Sequence, residues 1–329
     1  MRGVDLRRWK FDWDLTFTAV AAHADGTIFH RYGGRDHRGA DHWLGEASMA
    51  AFLGAGLQAH GKHVPVAGTG EYEPLPLDSV PAFAKRDRGE CIHCHSVNPA
   101  LRIEAQEAGT WSLDELWTNP APDRIGIDLD VADQQVVTHV MEGSPSAEAG
   151  LKVGHRILRV GDVEVATASD MMFALDQLPF DATAVQVLAA RANGPARTFD
   201  LVLPKNWKAA TPRQFAWRPS KWGLAPAPGF GGPVFDAKSL KEAGLPEGTF
   251  AFRVQYLVTW GENQRWGKAA ARAGIREGMT VLGTKDMRDF ESIDHFHAWW
   301  RLTVKPNSEV AVVTWKDGRE LELVVAVGE

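Results

Sequence analysis

The stretch that decides the fold is GSPSAEAGLKVGHRILRVGD at residues 143–162, together with its second copy further along the chain. Within it, AGLKVGHRIL at 149–158 aligns without a gap to AGIREGMTVL at 273–282, at an offset of 124 residues. Each copy is followed by apolar residues at helical spacing and then by two runs with strand character. A repeat of domain length indicates two copies of one fold. The predicted elements are helices at 170–178 and 294–302 and strands at 185–190, 198–203, 310–315 and 320–325.

Residues 143–162 resemble the PDZ domains appended to bacterial trypsin-like periplasmic proteases. The resemblance implies one PDZ domain over 121–206, the first repeat, and a PDZ-like domain over 207–329, the second repeat. In that family a ligand adds a strand to a sheet edge, and its terminal carboxylate sits in a loop of backbone amides. The implied partner is therefore a peptide or a protein C-terminus. The resemblance places the loop and the facing helix wall at Arg124, Ile125, Gly126, Ile127, Asp170, Met171 and Ala174.

The first 65 residues have the pattern of an α/β unit. An apolar run at 15–22, a turn at Ala24-Asp-Gly26 and a second strand pattern at 27–32 precede helical spacing at 47–60. This order is that of the C-terminal half of a thioredoxin fold, so residues 1–65 are predicted to be a partial thioredoxin-like unit. Such a half would leave one face of its sheet uncovered.

Residues 66–120 are rich in proline and are predicted to be irregular. They contain Cys91, Cys94 and His95, which form the CxxCH attachment signature of a c-type haem. On a helical turn these three side chains point to one side, so two thiols and one imidazole can meet a single porphyrin. We therefore predict haem c here, with His95 as the iron ligand, and we expect Pro99 to end the turn.

Other interpretations of the same motif stay open. Cys91 and Cys94 could form a redox-active thiol pair, a zinc or copper site together with His93 and His95, or an inert structural disulfide. The sequence does not fix a distal haem ligand. The conceivable donors are His60, His63, His139 and Met141.

As a whole, residues 12–34, the CxxCH motif and the PDZ copies resemble bacterial multidomain proteins that join a thioredoxin-like domain to PDZ domains. Some members of that family carry selenocysteine. The implied fold class is a multidomain α/β and mainly-β protein with a partial thioredoxin-like unit, an irregular CxxCH segment and two PDZ-like domains. We expect the redox half of the thioredoxin unit to precede Met1. Because haem c is attached outside the cytoplasm, a periplasmic location is implied, with an export signal outside this chain.

Composition narrows the classes of partner. The chain has 36 basic and 42 acidic residues and a net charge of −6, which disfavours nucleic acid as a partner. No apolar run approaches the roughly 18 residues of a membrane span. The predicted function is a periplasmic redox-associated adaptor that binds peptides or C-termini and exchanges electrons with a redox partner protein. The alternatives are a PDZ scaffold with structural cysteines and a thiol-disulfide oxidoreductase whose catalytic part is missing here. Whether the protein is an enzyme stays open.

Overall fold

The computed structural model describes residues 3–65, 73–84, 92–192, 194–261 and 263–328. The chain forms two compact units, Met1–Ala210 and Thr211–Glu329. Both mix helices with small antiparallel sheets, so the architecture is mixed α/β. None of the described helices has the length and hydrophobicity needed to span a membrane.

The elements of the first unit alternate between short strands and helices. The strands are β1 (Thr18–Ala22), β2 (Ile28–Gly33), β3 (Ile127–Leu129), β4 (Val137–Val140), β5 (Arg156–Val160), β6 (Val163–Glu164), β7 (Ala184–Ala190) and β8 (Arg197–Val202). The helices are α1 (Glu46–Lys62), α2 (Pro81–Ala84), α3 (Val97–Glu107), α4 (Pro145–Glu148) and α5 (Ala168–Asp176). Single 3-10 turns lie at Leu77–Ser79, Cys94–Ser96, Leu113–Leu116 and Pro122–Ile125.

The second unit has the same mixture of elements. Its helices are α6 (Pro212–Phe215), α7 (Ala237–Glu242), α8 (Gln264–Arg272) and α9 (Ile293–Thr303), with a 3-10 turn at Pro219–Gly223. Its strands are β9 (Phe230–Gly231), β10 (Phe252–Arg253), β11 (Tyr256–Leu257), β12 (Thr280–Thr284), β13 (Ser308–Lys316) and β14 (Arg319–Val327).

The N-terminal hairpin and helix form where the sequence predicts them, which confirms the order strand, turn, strand, helix. β1 pairs antiparallel with β2, and Tyr32 packs on Phe52 of α1 with its ring centroid 5.5 Å away. Neighbouring residues of a strand point to opposite faces. The next side chain, Arg31, accordingly lies over the ring of Phe173 in α5. The sheet face for which the sequence offered no cover therefore packs on the first repeat.

The first repeat is built on a four-stranded antiparallel sheet in the order β6-β5-β7-β8, with β3 and β4 as a separate pair. Its apolar core is continuous from the sheet to α5. The predicted strands and helix are confirmed. Fully or almost fully buried members of this core include Ile157, Val160, Leu175, Val187 and Leu201.

The second repeat has a four-stranded sheet in the order β10-β12-β13-β14. The 124-residue offset carries β5 onto β12 residue for residue, and it carries the first residue of β7 onto that of β13. The core is aromatic where the first repeat is aliphatic, because Phe252, Phe296 and Trp300 fill its centre.

The segment after the second cysteine forms a helix, α3, from Val97 onward. Pro99 lies in the first turn of α3 and does not end it, so that prediction is wrong. The first turn of a helix tolerates proline because its N–H groups have no partner within the helix. Ile92 and Val97 are buried in a small cluster with Leu6 and Phe83. Cys91 lies outside the described residues.

Candidate functional site

The loop before β3 turns sharply at Gly126, whose φ of +84° is in the left-handed region. The Gly126 N–H donates to the carbonyl of Asp123, and its own carbonyl accepts from Met141 N at 2.8 Å. A Cβ at Gly126 would come within 2.0 Å of the Ser144 Cβ. The loop therefore needs glycine for both its backbone angle and its close packing.

β3 pairs with β4 on one edge and with no described strand on the other. A PDZ ligand would add itself as a strand at such an edge. The loop residues Ile125 and Ile127 are both buried, at 0% and 1% exposure. Their side chains belong to the core of the first repeat, so the loop is firmly held beside the edge.

The predicted helix wall, α5, is covered on nearly all sides. Seven of its nine residues are buried, including Asp170, Met171 and Ala174. An amphipathic helix on a domain surface would keep one polar face in water. Other parts of the chain must therefore lie against the outer face of α5.

Asp170 binds the part of the chain that lies against the outer face of α5. Its carboxylate accepts hydrogen bonds from His30 Nδ1 at 2.9 Å, from Arg31 N at 2.7 Å and from Ala166 N at 3.1 Å. The hydroxyl of Thr167 donates to the carbonyl of Arg31. Charge-assisted hydrogen bonds of this kind are stronger than neutral ones. They hold β2 against the start of α5.

The Arg31 side chain covers α5 one turn later. Its guanidinium carbon lies 3.4 Å from the centre of the Phe173 ring, and its Nε donates to the carbonyl of Lys10 at 2.7 Å. Burial lowers the pKa of Arg31 to about 10, against the charge of Asp170, which raises it. The guanidinium therefore stays charged near neutral pH and pairs with the face of the ring.

A second contact, made by Arg38, reaches β3 on the other side of the predicted groove. Arg38 donates from Nε and Nη2 to the carboxylate of Asp36, and from Nη1 to Asp128 of β3 at 2.9 Å. Burial raises the pKa of Asp36, but the hydrogen bonds and charge of Arg38 outweigh it and lower that pKa overall. The loop after β2 is thereby tied to the strand on which a ligand would pair.

Trp43 lies between these two contacts and is completely buried. Its Nε1 donates to Asp36 at 3.1 Å, and its carbonyl accepts from the side chain of Gln134. The same Gln134 side chain accepts from the N–H of Ala168 at the start of α5. The indole belongs to the same apolar cluster as Ile127 and Ala174, so it shares one core with both predicted walls.

Residues 30–43 therefore form a covering segment that contacts both β3 and α5. The sequence predicted the two walls, but it did not predict the segment that bridges them. A large apolar residue in the polar loop at 35–43, Trp43, is the signal that could have indicated it. The residues that carry the cover are His30, Arg31, Asp36, Arg38 and Trp43.

Arg124 belongs to the predicted carboxylate loop, and its guanidinium makes two contacts within the chain. Its Nε donates to Asp123 at 2.9 Å, and its Nη1 donates to the carbonyl of Ala209 at 2.9 Å. Both contacts hold the guanidinium of Arg124 against other residues of the same chain. Lys208, one residue earlier, donates to the carbonyl of Asp176 at the end of α5.

The described part of the CxxCH motif points to one backbone oxygen. Cys94 Sγ donates to the carbonyl of Leu15 at 3.3 Å, and His95 Nε2 lies 3.0 Å from the same oxygen. The two side chains thus share one side of the turn, as covalent haem attachment requires. A carbonyl only accepts, so Nε2 carries the proton and would have to leave Leu15 and lose that proton to bind iron. His93 is exposed.

Comparison with known families places a PDZ domain at residues 136–179, from the residue before β4 to shortly after α5. The match includes the repeat motif and the whole of α5. No curated protein sequence matches the chain.

Proposed function

We propose that the protein is an interaction module whose first repeat binds an extended peptide or a protein C-terminus. The ligand would pair with the open edge of β3, between the Gly126 loop and α5. The observation that carries this proposal is the PDZ match at 136–179, combined with an edge strand that has no described partner on the side toward a ligand. A PDZ domain of this kind recognises backbone first and side chains second.

The covering segment is then a cap on this groove. It contacts β3 through Arg38 and Asp128, and it contacts α5 through Arg31 and Asp170. A peptide that pairs along β3 competes with these contacts, so its apparent affinity is its intrinsic affinity multiplied by the fraction of molecules in which the cap is open. Binding is therefore weak until a partner or a change in the protein displaces residues 30–43.

The test is capture of an immobilised library of C-terminal heptapeptides by the full-length protein and its Arg38→Glu variant. The introduced carboxylate faces Asp36 and Asp128, so the cap is repelled from β3 while Gly126 and the core are left intact. We expect the variant to capture free-carboxylate peptides about tenfold more strongly than the parent does.

The matched control is Arg197→Glu, an equal change of charge at an exposed residue of β8. It should bind like the parent. Amidated peptides separate recognition of a chain end from recognition of an internal strand. Equal capture of the same peptides by Arg38→Glu and Arg197→Glu would contradict the cap, and the absence of any capture by either variant would contradict peptide binding itself.

The second repeat is proposed as a second PDZ-like domain. Support comes from the strand correspondence at the 124-residue offset and from a helix, α9, at the place of α5. The best match for the carboxylate loop in the second repeat is Lys221-Trp222-Gly223-Leu224. Lys221 lies 3.0 Å from Asp294 of α9, so the loop and the helix approach each other there too. The same peptide library, applied to a full-length variant whose first repeat does not bind peptides, would measure the contribution of the second repeat.

Covalent haem at Cys91, Cys94 and His95 is a second candidate function. The observation in its favour is that Cys94 and His95 converge on one backbone oxygen. Haem bound there would supply electron transfer or redox sensing, with a redox partner protein, and would imply a periplasmic location. It would also require the turn at Cys94–Ser96 to move away from Leu15.

The haem proposal is tested by co-expression with a haem-maturation system, followed by visible spectroscopy after acid-acetone extraction. A Soret band that survives extraction and disappears in Cys94→Ser supports covalent haem. A colourless protein with free thiols contradicts it, and metal analysis then separates a metal site from a thiol pair.

A further inference from the structure

Three ionisable side chains meet where the turn of the N-terminal hairpin approaches the end of α1. His23 and Asp25 lie in the turn between β1 and β2, and His63 directly follows α1. One ligand atom from each of the three lies within 4.8 Å of the other two. In the sequence, His60 and His63 are candidates only for the distal haem ligand, and nothing there connects either residue with the hairpin.

The carboxylate of Asp25 lies between the two imidazoles. His63 Nε2 is 2.7 Å from Asp25 Oδ2, and His23 Nδ1 is 3.1 Å from Asp25 Oδ1. The side chains are partly shielded from water, at 12% exposure for His63 and 20% for the other two. The hydrogen bond from His63 lowers the pKa of Asp25, which keeps this carboxylate ionised.

The local backbone fixes the turn that carries two of these groups. His23 N donates to the carbonyl of Thr27 at 2.8 Å, Gly26 N donates back to the carbonyl of His23, and Thr27 N donates to Asp25 Oδ1. The His63 ring is further held by ring contacts, at 4.6 Å from His23 and 5.2 Å from Phe29. The donor atoms are therefore held in place before any ion binds.

His23 Nδ1 has two neighbours with opposite demands. The N–H of Asp25 points to it at 3.2 Å, which needs a lone pair on the nitrogen, while Asp25 Oδ1 at 3.1 Å needs a proton there. Nδ1 has one lone pair, so a cation between Nδ1 and Oδ1 would take it in place of the Asp25 N–H and would end the repulsion between the two lone-pair atoms. The close approach of an unprotonated Nδ1 to a carboxylate oxygen therefore favours a positive ion in the cluster.

The spacing suits a tetrahedral ion. Ligand atoms about 2.0–2.2 Å from Zn²⁺ lie roughly 3.3 Å from one another, and the present separations, none of them above 4.8 Å, would have to change by at most about 1.5 Å. Two imidazoles and one carboxylate favour Zn²⁺ and its transition-metal neighbours over Mg²⁺ or Ca²⁺, which prefer all-oxygen sites. A cavity of about 520 Å³ borders the cluster on the side of His63.

We propose that His23, Asp25 and His63 form a binding site for a divalent transition-metal ion, with Zn²⁺ as the best-fitting ion. The fourth position is filled by water or by His60, whose ring lies 5.2 Å from that of His23. A bound ion joins the hairpin turn to the end of α1 and stabilises this part of the fold by mass action. The site is independent of the peptide groove and of the cysteine motif.

The experiment measures Zn²⁺ binding by calorimetry on the full-length chain carrying Cys91→Ser and Cys94→Ser, so that thiolates cannot bind the ion. We expect one equivalent of Zn²⁺ to bind and to raise the melting temperature. His63→Gln should weaken the binding at least tenfold and abolish the thermal shift. His139→Gln, at an exposed histidine of β4, is the matched control and should bind like the parent.

Asp25→Asn provides a second variant of almost unchanged shape, in case His63→Gln alters the fold. It should also lose the site, because an amide oxygen is a much weaker ligand than a carboxylate. Unchanged affinity and stoichiometry in both variants would overturn the proposal. An equal loss of binding in His139→Gln, or a cysteine-free parent that binds no Zn²⁺, would overturn it as well.

Discussion

The helix after the repeat motif is α5 in the first repeat and α9 in the second, and the two helices have different surroundings. Seven of the nine residues of α5 are buried, against five of the eleven residues of α9. Asp170 is fully buried and holds the covering segment, whereas the aligned Asp294 is 48% exposed and pairs with Lys221. The motif thus fixes the framework of each repeat, while residues outside the motif decide what covers the helix.

A second aligned position differs in chemistry. Phe173 of α5 lies under the guanidinium of Arg31. The matching residue of α9 is His297, which is buried against Trp222 and receives a hydrogen-bond contact from Arg301 at 3.4 Å. Burial, followed by the charges of Arg301 and Lys221, lowers the pKa of His297 to about 3. The second repeat therefore carries a titratable group where the first carries an inert ring.

The largest expected effect is on the anchoring aspartate. Asp170→Ala leaves the buried donors of His30, Arg31 and Ala166 without their acceptor, and we expect a loss of about 4 kcal/mol in the free energy of unfolding. Asp294→Ala removes a half-exposed carboxylate from the buried ammonium of Lys221 and should cost less, about 2 kcal/mol. Urea denaturation of the full-length variants measures both changes. Equal losses would show that α5 and α9 are covered alike.

The next effect is on pH dependence. At His297 the unfolded state binds a proton below its ordinary pKa of about 6.5, whereas the folded state does not until about pH 3. Stability is therefore lost as the pH falls from about 6.5 toward 3, and this one group should cost about 2 kcal/mol at about pH 5.

His297→Phe places the residue of the first repeat in the second and should reduce this loss between about pH 7 and pH 5. Urea unfolding at the two pH values gives the comparison. His295, whose pKa burial also lowers, is present in both proteins and cancels. An identical loss in the parent and in His297→Phe would mean that His297 is not the group that titrates.

The smallest effect is on the first of the two glycines that the copies of the motif share. Gly150 has a φ of +89° and Gly274 a φ of +101°, and a Cβ at either position meets at most an ordinary van der Waals contact. Alanine therefore adds only backbone strain, which should lower the free energy of unfolding by about 1 kcal/mol at each position. We expect Gly150→Ala and Gly274→Ala to agree within about 0.5 kcal/mol. A clear difference in thermal unfolding would mean that the two frameworks are not equivalent.

The framework could be predicted because its signals are local. The motif, the turn glycines and the apolar periodicity place α5, β7 and α9 within a few residues of their observed bounds. The hairpin and α1 follow from the same kind of pattern. Pro99 was misjudged because a proline at the start of a helix and one that ends a turn look alike in sequence.

The cover on α5 could not be predicted from local pattern. Its anchor joins His30 and Asp170, which are 140 residues apart in sequence. The alternation of residues along a strand indicates which side chains share a face, but it does not indicate which helix that face will contact. The cluster of His23, Asp25 and His63 was missed for the same reason, because its members lie on separate elements.

Hydrogen–deuterium exchange of the full-length protein tests the central claim, that residues 30–43 cover the groove of the first repeat. The Arg31 amide donates to the buried carboxylate of Asp170, so fragments spanning 28–43 should be as strongly protected as α5. In Arg38→Glu, residues 35–43 and 127–129 should gain exchange together, while β7 and β8 stay protected. Rapid exchange across 28–43 in the parent, with α5 still protected, would contradict the account.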